Sequence, residues 1–268
     1  MGRPENSGAK VYYTGEVAQK YDASSSLNNI QGRITERCLA ILNDPEDSMV
    51  LDIGCGSGIS TEKILDSGNF VIGVDISREM LELARERVKS IFYDEDSAEK
   101  YSDWIEVDIG TGLPFRSAVF DYAVSVSVLQ WLVVQKDYKK LLSAFFYTLY
   151  DALKSDGIAV LQYYPETDKH MDDIMKYALK FGFAGGTLVE NQDSKKKRKT
   201  YLILEMPGAK GKSKHLPSRK EKTKTRVTNR NLSRQEWVLK KKAKRESKGH
   251  YVPETSKYSG RKRSGRLG

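Results

Sequence analysis

Cysteine is scarce in this chain, with two residues, Cys38 and Cys55, among 268. They form no pair with metal-ligand spacing, so we predict that the chain holds no metal, and we expect a reducing compartment. Long apolar runs are also missing. The longest, "YAVSVSVLQWLVV", is too short to span a bilayer and contains Ser and Gln. The opening "MGRPENSGAK" has no apolar core of the kind that a secretory signal needs. We therefore expect a soluble protein that does not associate with a membrane.

Charge is divided unevenly along the chain, whose net charge is +9. Residues 207–268 hold 21 Lys and Arg against 4 Asp and Glu, which leaves 24 against 32 for residues 1–206. An acidic body therefore carries a basic tail, and the low hydrophobicity of that tail predicts disorder. Basic arms are typical of nuclear-import and RNA-binding segments, and a solubilising tail is the alternative. The candidate RNA-binding residues in the tail are Lys240, Lys241, Lys242, Arg245, Arg261, Lys262 and Arg263.

Strand and helix patterns alternate through the body of the chain. Seven apolar runs are typical of strands, at 48–54, 70–76, 103–109, 119–127, 158–164, 185–191 and 199–206. Helical spacing covers 31–44, 60–68, 77–90, 139–157 and 168–183, with Ser77 as an N-cap and Gly157 as a stop. This alternation predicts an α/β fold with a mostly parallel seven-stranded sheet and helices on both faces. The last two strands are too close for a helical crossover, so they should form a terminal antiparallel hairpin.

The stretch "VLDIGCGSGIS", residues 50–60, places an acidic residue just ahead of a glycine loop. Gly54, Gly56 and Gly58 allow a tight turn from strand to helix and a close approach of a ligand to the backbone. A dinucleotide site is one reading, but the spacing is Gly-x-Gly-x-Gly, and Asp52 would repel a pyrophosphate. A sharp turn without any ligand is the other alternative.

S-adenosylmethionine fits both the glycine loop and the acidic residue ahead of it. It lacks phosphate, and it carries a sulfonium and an α-ammonium that attract the carboxylate of Asp52. Asp75, at the end of the second strand, can accept hydrogen bonds from the ribose hydroxyls. Asp108 follows the third strand and can accept from the adenine amino group, with Ile76 and Ile109 offering apolar contact to the ring.

The motifs "VLDIGCGSG", "VIGVDIS", "VDIGTGLPF" and "FDYAVSVSVLQWL" resemble those of the Rossmann-like class I methyltransferases. The opening "YYTGEVAQKYDASSSLNNIQGRITERCLAIL" and the tail "EWVLKKKAKRESKGHYVPETSKYSGRKR" narrow the resemblance to the eukaryotic 18S rRNA (guanine-N7)-methyltransferases. The resemblance implies that Gly54, Gly56, Asp75, Asp108 and Ile109 bind the cofactor. It also implies that Tyr13 and Tyr21 close over the cofactor, and that Ser125, Gln130 and Trp131 line the cofactor and target-base pocket.

The resemblance predicts three regions in the chain. Residues 1–47 form an arm and helix that cover the cofactor, residues 48–206 form the methyltransferase domain, and residues 207–268 form the basic tail. Guanine N7 has a free lone pair, so we expect positioning by Gln130 and Trp131 rather than a general base. For Trp131, ordinary packing is the alternative to base stacking. No Asn/Asp-Pro-Pro-aromatic motif and no cysteine follows the fourth strand, which argues against amino-N6 and C5 methylation.

The resemblance implies two partners, 18S rRNA in the pre-40S particle and a small zinc-containing activator subunit. The activator would add to the exposed edge of the third strand, near Trp104 to Asp108. The turn of the hairpin brings Lys195, Lys196, Lys197 and Arg198 close to the site, as RNA contacts or as a solvated turn. We expect the protein to act in 40S subunit biogenesis. Its expected location is the nucleus, in both nucleolus and nucleoplasm, with the cytoplasm as a further compartment. A small-molecule methyltransferase and an assembly factor that acts by its presence are the alternatives.

Overall fold

The computed structural model describes residues 15–92, 95–191, 193–194, 197–209, 213 and 242–243, and the side chains of 95–97 are outside this description. The chain divides into two units, Met1–Leu216 and Pro217–Gly268. The whole sheet and the helices named below belong to the first unit. Of the second unit, only residues 242–243 are described.

The first unit is built on a sheet in which the described residues form seven strands. They are β1 Met49–Ile53, β2 Phe70–Asp75, β3 Ser102–Glu106, β4 Phe120–Val126, β5 Leu153–Tyr163, β6 Ala184–Glu190 and β7 Lys199–Glu205. The spatial order is β3-β2-β1-β4-β5-β7-β6. The pairs from β3 to β5 are parallel, whereas β7 runs antiparallel to both β5 and β6. The predicted fold class and the terminal hairpin are therefore confirmed, and β6 runs parallel to β5.

The described helices follow the strands in an alternating order. They are α1 Gly15–Ala23, α2 Ser25–Ile41, α3 Ile59–Asp66, α4 Arg78–Lys89, α5 Glu95–Tyr101, α6 Leu129–Val133, α7 Tyr138–Ala152 and α8 Asp168–Lys180. Local capping explains several of these boundaries. Ser77 caps α4 by accepting from the N–H of Met80, as predicted, and Thr167 caps α8 by accepting from the N–H of His170.

Two hydrophobic cores cover the two faces of the sheet. Leu51 and Leu161 face one core, which α6, α7 and α8 close. Val50 and Val160, one residue earlier on each strand, face the other core, which α2, α3 and α4 close. Successive side chains of a strand point to opposite faces, so a strand buried on both sides is apolar throughout. This is why the strands appear in the sequence as continuous apolar runs.

One predicted boundary is wrong. The helical pattern of 139–157 indicated a helix up to Gly157, but α7 ends at Ala152 and β5 begins at Leu153. Leu153 pairs with Phe120, and the register shifts before Tyr122 pairs with Ile158. A Cβ on Gly157 would lie 3.0 Å from the carbonyl oxygen of Lys154, so this irregular turn favours glycine. Pairing with β4, which local periodicity does not encode, overrides the helical pattern.

The first unit continues beyond β7. A 3-10 turn covers Pro207–Ala209, Ala209 is completely buried, and Ser213 donates its backbone N–H to Glu205 at 3.2 Å. Packed structure therefore extends past the composition change at residue 207. In the part of the chain that the structure describes, no helix has the length and apolar character needed to cross a bilayer.

Candidate cofactor site and catalytic face

The loop between β1 and α3 has a backbone that only glycine adopts readily. Gly54, Gly56 and Gly58 have φ values of +67°, +54° and +81°. The N–H groups of Gly54 and Cys55 both donate to the carbonyl oxygen of Val74, at 2.7 and 3.0 Å, which ties the loop to β2. A Cβ on Gly54 would lie 2.2 Å from Cγ2 of Val128. The loop is therefore pressed against the segment that follows β4.

Asp75 organises the other side of this loop. Its Oδ2 accepts from the N–H of Gly56 and its Oδ1 accepts from the N–H of Ser77, both at 2.9 Å. Burial raises the pKa of Asp75, and these backbone bonds oppose the rise. The N–H of Ile76 also lowers its pKa. A carboxylate has about four lone-pair directions, so acceptor capacity is left for a ribose hydroxyl. The prediction that Asp75 binds the ribose is compatible with this position.

Asp52 is completely buried beneath the loop. Its Oδ2 accepts from the hydroxyls of Ser60 and Thr61, at 2.7 and 2.6 Å, while its Oδ1 has no hydrogen-bond partner among the described atoms. Burial raises the pKa of Asp52 to about 6, against the effect of those two hydroxyls. A buried carboxylate with one unmatched oxygen is stabilised by a cation.

A small crevice opens above the glycine loop. Tyr21 of α1 and Gln31 of α2 form one side of it, and Gln31 donates its amide N–H to the Tyr21 hydroxyl at 3.3 Å. Burial raises the pKa of Tyr21, the Gln31 bond opposes this, and Asp75 and Tyr164 are close enough to raise it further. The described residues that line the crevice are Tyr21, Gln31, Gly54, Cys55, Gly56, Ser57, Ile59, Ser60 and Val126.

The crevice includes three of the predicted cofactor residues, Tyr21, Gly54 and Gly56. Sequence reasoning did not select Gln31 or Val126, because their place in the site depends on how α2 and β4 pack against the loop. The residue types present fit S-adenosylmethionine. The Cβ positions of the three loop glycines are occupied by Val128, Met80 and Ala84, so the glycines serve the packing of the loop. The feature that suits a cationic group is the unmatched Oδ1 of Asp52.

Arg87 of α4 connects this loop to α1. Its Nε donates to the carbonyl oxygen of Ser57 at 2.8 Å, and its terminal nitrogens bond Asp22 of α1 and Glu62 of α3. Asp22 is the neighbour of Tyr21 in the chain. The guanidinium therefore holds the helix that carries Tyr21 against the loop, a role that only the tertiary structure reveals.

Ile76 directly follows β2, whereas Asp108 and Ile109 lie beyond the end of β3. The third strand ends at Glu106, so Asp108 lies two residues past it and caps a 3-10 turn, Ile109–Thr111, by accepting from the N–H of Gly110 at 2.9 Å. Ile109 is buried in the core, whereas Ile76 is half-buried. Their contact with adenine stays a prediction.

The segment after β4 contains the predicted pocket residues. Ser125 is completely buried and donates its hydroxyl to the carbonyl oxygen of Ile53 at 2.9 Å, so it bridges two strands. Gln130 is buried in α6 and its side-chain oxygen accepts from the N–H of Tyr164 at 3.2 Å. Trp131, in the same helix, is half-buried. Their roles toward a target base stay predictions.

The basic hairpin turn lies at the carboxyl edge of the sheet, because β6 is parallel to β5 and the turn follows it. Lys197 and Arg198 are exposed there. Lys242 is half-buried in the second unit. The other predicted residues lie outside the described part of the chain: Tyr13, Lys195, Lys196, Lys240, Lys241, Arg245, Arg261, Lys262 and Arg263.

Comparisons with known proteins match both the body and the tail. The family profile described as "Methyltransferase domain" matches residues 51–161, and that described as "Methyltransferase involved in Williams-Beuren syndrome" matches residues 186–265. The chain is 38% identical to the 18S rRNA (guanine-N(7))-methyltransferase of Schizosaccharomyces pombe, over 98% of each chain. It is 35% identical to the 18S rRNA (guanine(1575)-N(7))-methyltransferase of Saccharomyces cerevisiae, over 100% of each.

The fold is also found among solved structures. A putative S-adenosyl-L-methionine-dependent methyltransferase from Methanococcus maripaludis matches with a TM-score of 0.57 at 15% identity, over 76% of this chain and 97% of that chain. At this level of identity the similarity concerns the fold alone.

Proposed function

The chain belongs to the family of 18S rRNA (guanine-N7)-methyltransferases, and we infer from this that it methylates N7 of a guanine in 18S rRNA. The observation that carries the conclusion is identity of 35 to 38% over nearly the whole chain to proteins named for this reaction. The fold alone would not suffice, because one fold hosts many chemistries. The reaction belongs to the biogenesis of the small ribosomal subunit.

S-adenosylmethionine supplies the methyl group, which it carries on a positively charged sulfur. Asp52 places a buried carboxyl group, and Asp75 a half-buried one, at the loop that would hold this cofactor. Tyr21 of α1 forms one side of the crevice, where it would limit the access of water to a bound cofactor. N7 of guanine needs no deprotonation, so the residues act by orientation and electrostatics rather than by taking a proton.

The target guanine would approach from the carboxyl edge of the sheet, where Gln130 and Trp131 follow β4. Gln130 is held by the N–H of Tyr164, so its position is determined by the end of β5. We expect Gln130 to orient the base and Trp131 to stack on it. Lys197 and Arg198, exposed in the hairpin turn at the same edge, would contact RNA phosphates together with the basic tail.

A small zinc-containing activator subunit is the protein partner that we propose. Within the described sheet, β3 has a neighbouring strand, β2, on one side only. β3 is therefore the edge of the described sheet to which a partner could add a strand, and we propose the segment Trp104 to Asp108 for this contact. The basic tail supports a nuclear location, in nucleolus and nucleoplasm, with the cytoplasm as a further compartment.

The function is tested by methylation of 18S rRNA transcribed in vitro, with the full-length chain, its partner subunit and isotopically labelled S-adenosylmethionine. Wild-type protein should yield 7-methylguanosine in digested RNA. Asp75→Asn should lose cofactor binding by calorimetry and yield none, whereas Lys154→Ala, a change at the opposite edge of the sheet, should be active. Label at any position other than guanine N7 would refute the assignment.

A further inference from the structure

Lys199, the first residue of β7, is held against an aromatic side chain. Its ammonium donates to the hydroxyl of Tyr164 at 2.6 Å and lies 4.7 Å from the centre of the same ring. A hydrogen bond and a cation–π contact to one partner restrict a side chain that is otherwise flexible. The ammonium has three N–H donors, so the bond to Tyr164 uses only part of its capacity.

Tyr164 connects this lysine to the catalytic face. It directly follows β5, donates its N–H to Gln130 at 3.2 Å, and is close enough to Tyr21 to affect its pKa. Tyr21 lines the cofactor crevice, and Gln130 belongs to the segment proposed to orient the base. Tyr163 pairs with Thr200, which puts Tyr164 and Lys199 next to each other at the carboxyl edge. The ammonium therefore lies at the border between the crevice and the basic hairpin turn.

The charges around Lys199 favour an anion. Its cross-strand neighbour is Glu190, whose carboxylate is paired with Arg37 at 2.8 Å. Lys197 and Arg198 precede Lys199 and are exposed. Glu190 is balanced by Arg37, and Asp193, exposed in the same turn, offsets one of the three basic residues. Positive charge therefore still predominates at this edge.

We propose that Lys199, oriented by Tyr164, binds the RNA phosphate next to the target guanosine. This inference rests on the proposed function and names a substrate contact within the same site. A contact to phosphate is favoured over one to the base, because methylation at N7 leaves the guanine ring positively charged. An ammonium beside that ring would oppose the transfer, whereas an ammonium on the phosphate would hold the nucleotide without opposing it.

Lys199→Ala tests the proposal in the full-length chain with 18S rRNA transcribed in vitro. The loss of one charge-assisted bond should raise the KM for RNA on the order of tenfold, with little change in kcat. The slope of log K against log salt should fall by about 0.7 to 0.9, the value of one phosphate contact. Cofactor affinity by calorimetry should be unchanged. Tyr164→Phe should give a smaller rise in KM, because the charge stays but its hydrogen-bond partner is lost.

Lys180→Ala is the matched control. Lys180 also lies over aromatic rings, 5.8 Å from that of Tyr177 and 5.3 Å from that of Phe181, but at the end of α8 and the opposite edge of the sheet. If Lys199→Ala and Lys180→Ala gave the same KM and the same salt slope while wild-type protein methylated guanine N7, the phosphate contact would be refuted and the function would stand. A reduced salt slope in Lys199→Ala, without N7 methylation by wild-type protein, would support the contact and refute the function.

Discussion

Gly54→Ala separates two costs that the structure assigns to the glycine loop. The first is conformational, because the φ of Gly54 is +67°, in a region that costs an L-residue about 1–2 kcal/mol. The second is steric, because the new Cβ would lie 2.2 Å from Cγ2 and 3.0 Å from Cγ1 of Val128. Overpacking of this kind typically costs about 1–3 kcal/mol. Together they predict a loss of about 2–5 kcal/mol in the free energy of unfolding.

Gly68→Ala provides the matched control, because Gly68 has a φ of +86° and nothing lies within 4 Å of the added Cβ. It should lose only the conformational part, about 1–2 kcal/mol. Val128→Ala in the Gly54→Ala background removes both clashing methyl groups. The double variant should therefore recover about 1–3 kcal/mol relative to the additive expectation.

Urea unfolding of Gly54→Ala, Gly68→Ala, the single Val128→Ala and the double variant measures these energies, and calorimetry with the demethylated cofactor measures the effect on the crevice. Gly54→Ala should weaken cofactor affinity, Gly68→Ala should leave it unchanged, and Val128→Ala should restore part of the loss. The reasoning would be refuted if Gly54→Ala and Gly68→Ala were equally destabilised, or if the two changes at positions 54 and 128 were additive. Either result would mean that the loop and the segment after β4 are not in contact.

Two further predictions concern Asp52 and α1. The pKa of Asp52 is raised to about 6 from 3.8, so its stabilising contribution is complete below pH 3.8 and is lost as pH rises through about 6. The side chain of Asp52→Asn does not titrate in this range. Its free energy of unfolding relative to wild type, measured with urea, should therefore improve by ~2 kcal/mol between about pH 4.5 and pH 7. An equal difference between the two proteins at both pH values would contradict the assignment. Asp22→Asn breaks the pair with Arg87, in which the side chains are 29% and 19% exposed, and should weaken cofactor affinity several-fold while unfolding changes by less than ~1 kcal/mol. Glu16→Gln, which breaks the exposed Glu16–Lys20 pair on the same helix, is its control and should leave cofactor affinity at the wild-type value in calorimetry.

Much of the fold could be predicted from local pattern. The seven strands, the terminal hairpin and the N-cap at Ser77 are confirmed, because apolar runs, chain spacing and capping are local properties. The short helix α6 was not predicted, and neither were α1 and α5. Their sequences, Gly15–Ala23 and Glu95–Tyr101, are polar and show little periodicity, so their stability depends on neighbours that are distant in the chain.

The candidate site was predicted only in part, because only some of its features are local properties of the sequence. Glycine spacing and strand-end carboxylates could be read from the chain, since parallel strands bring their carboxyl ends to one edge. The inclusion of Gln31 and Val126 in the crevice, and the bonds of Arg87 to Ser57 and Asp22, could not. The two bonds of Arg87 join residues that are 30 and 65 positions apart in the chain.

The sequence by itself determined the order of the seven strands and of five helices, the glycine loop and the acidic residues near strand ends. Each of these follows from backbone sterics or from the period of apolar side chains, which act within a few residues. Only the tertiary structure decided that β5 begins at Leu153, that Asp52 keeps one oxygen unmatched, and that Lys199 rests on Tyr164. These features depend on burial and pairing between distant segments, which become defined only when the sheet has closed around its two cores.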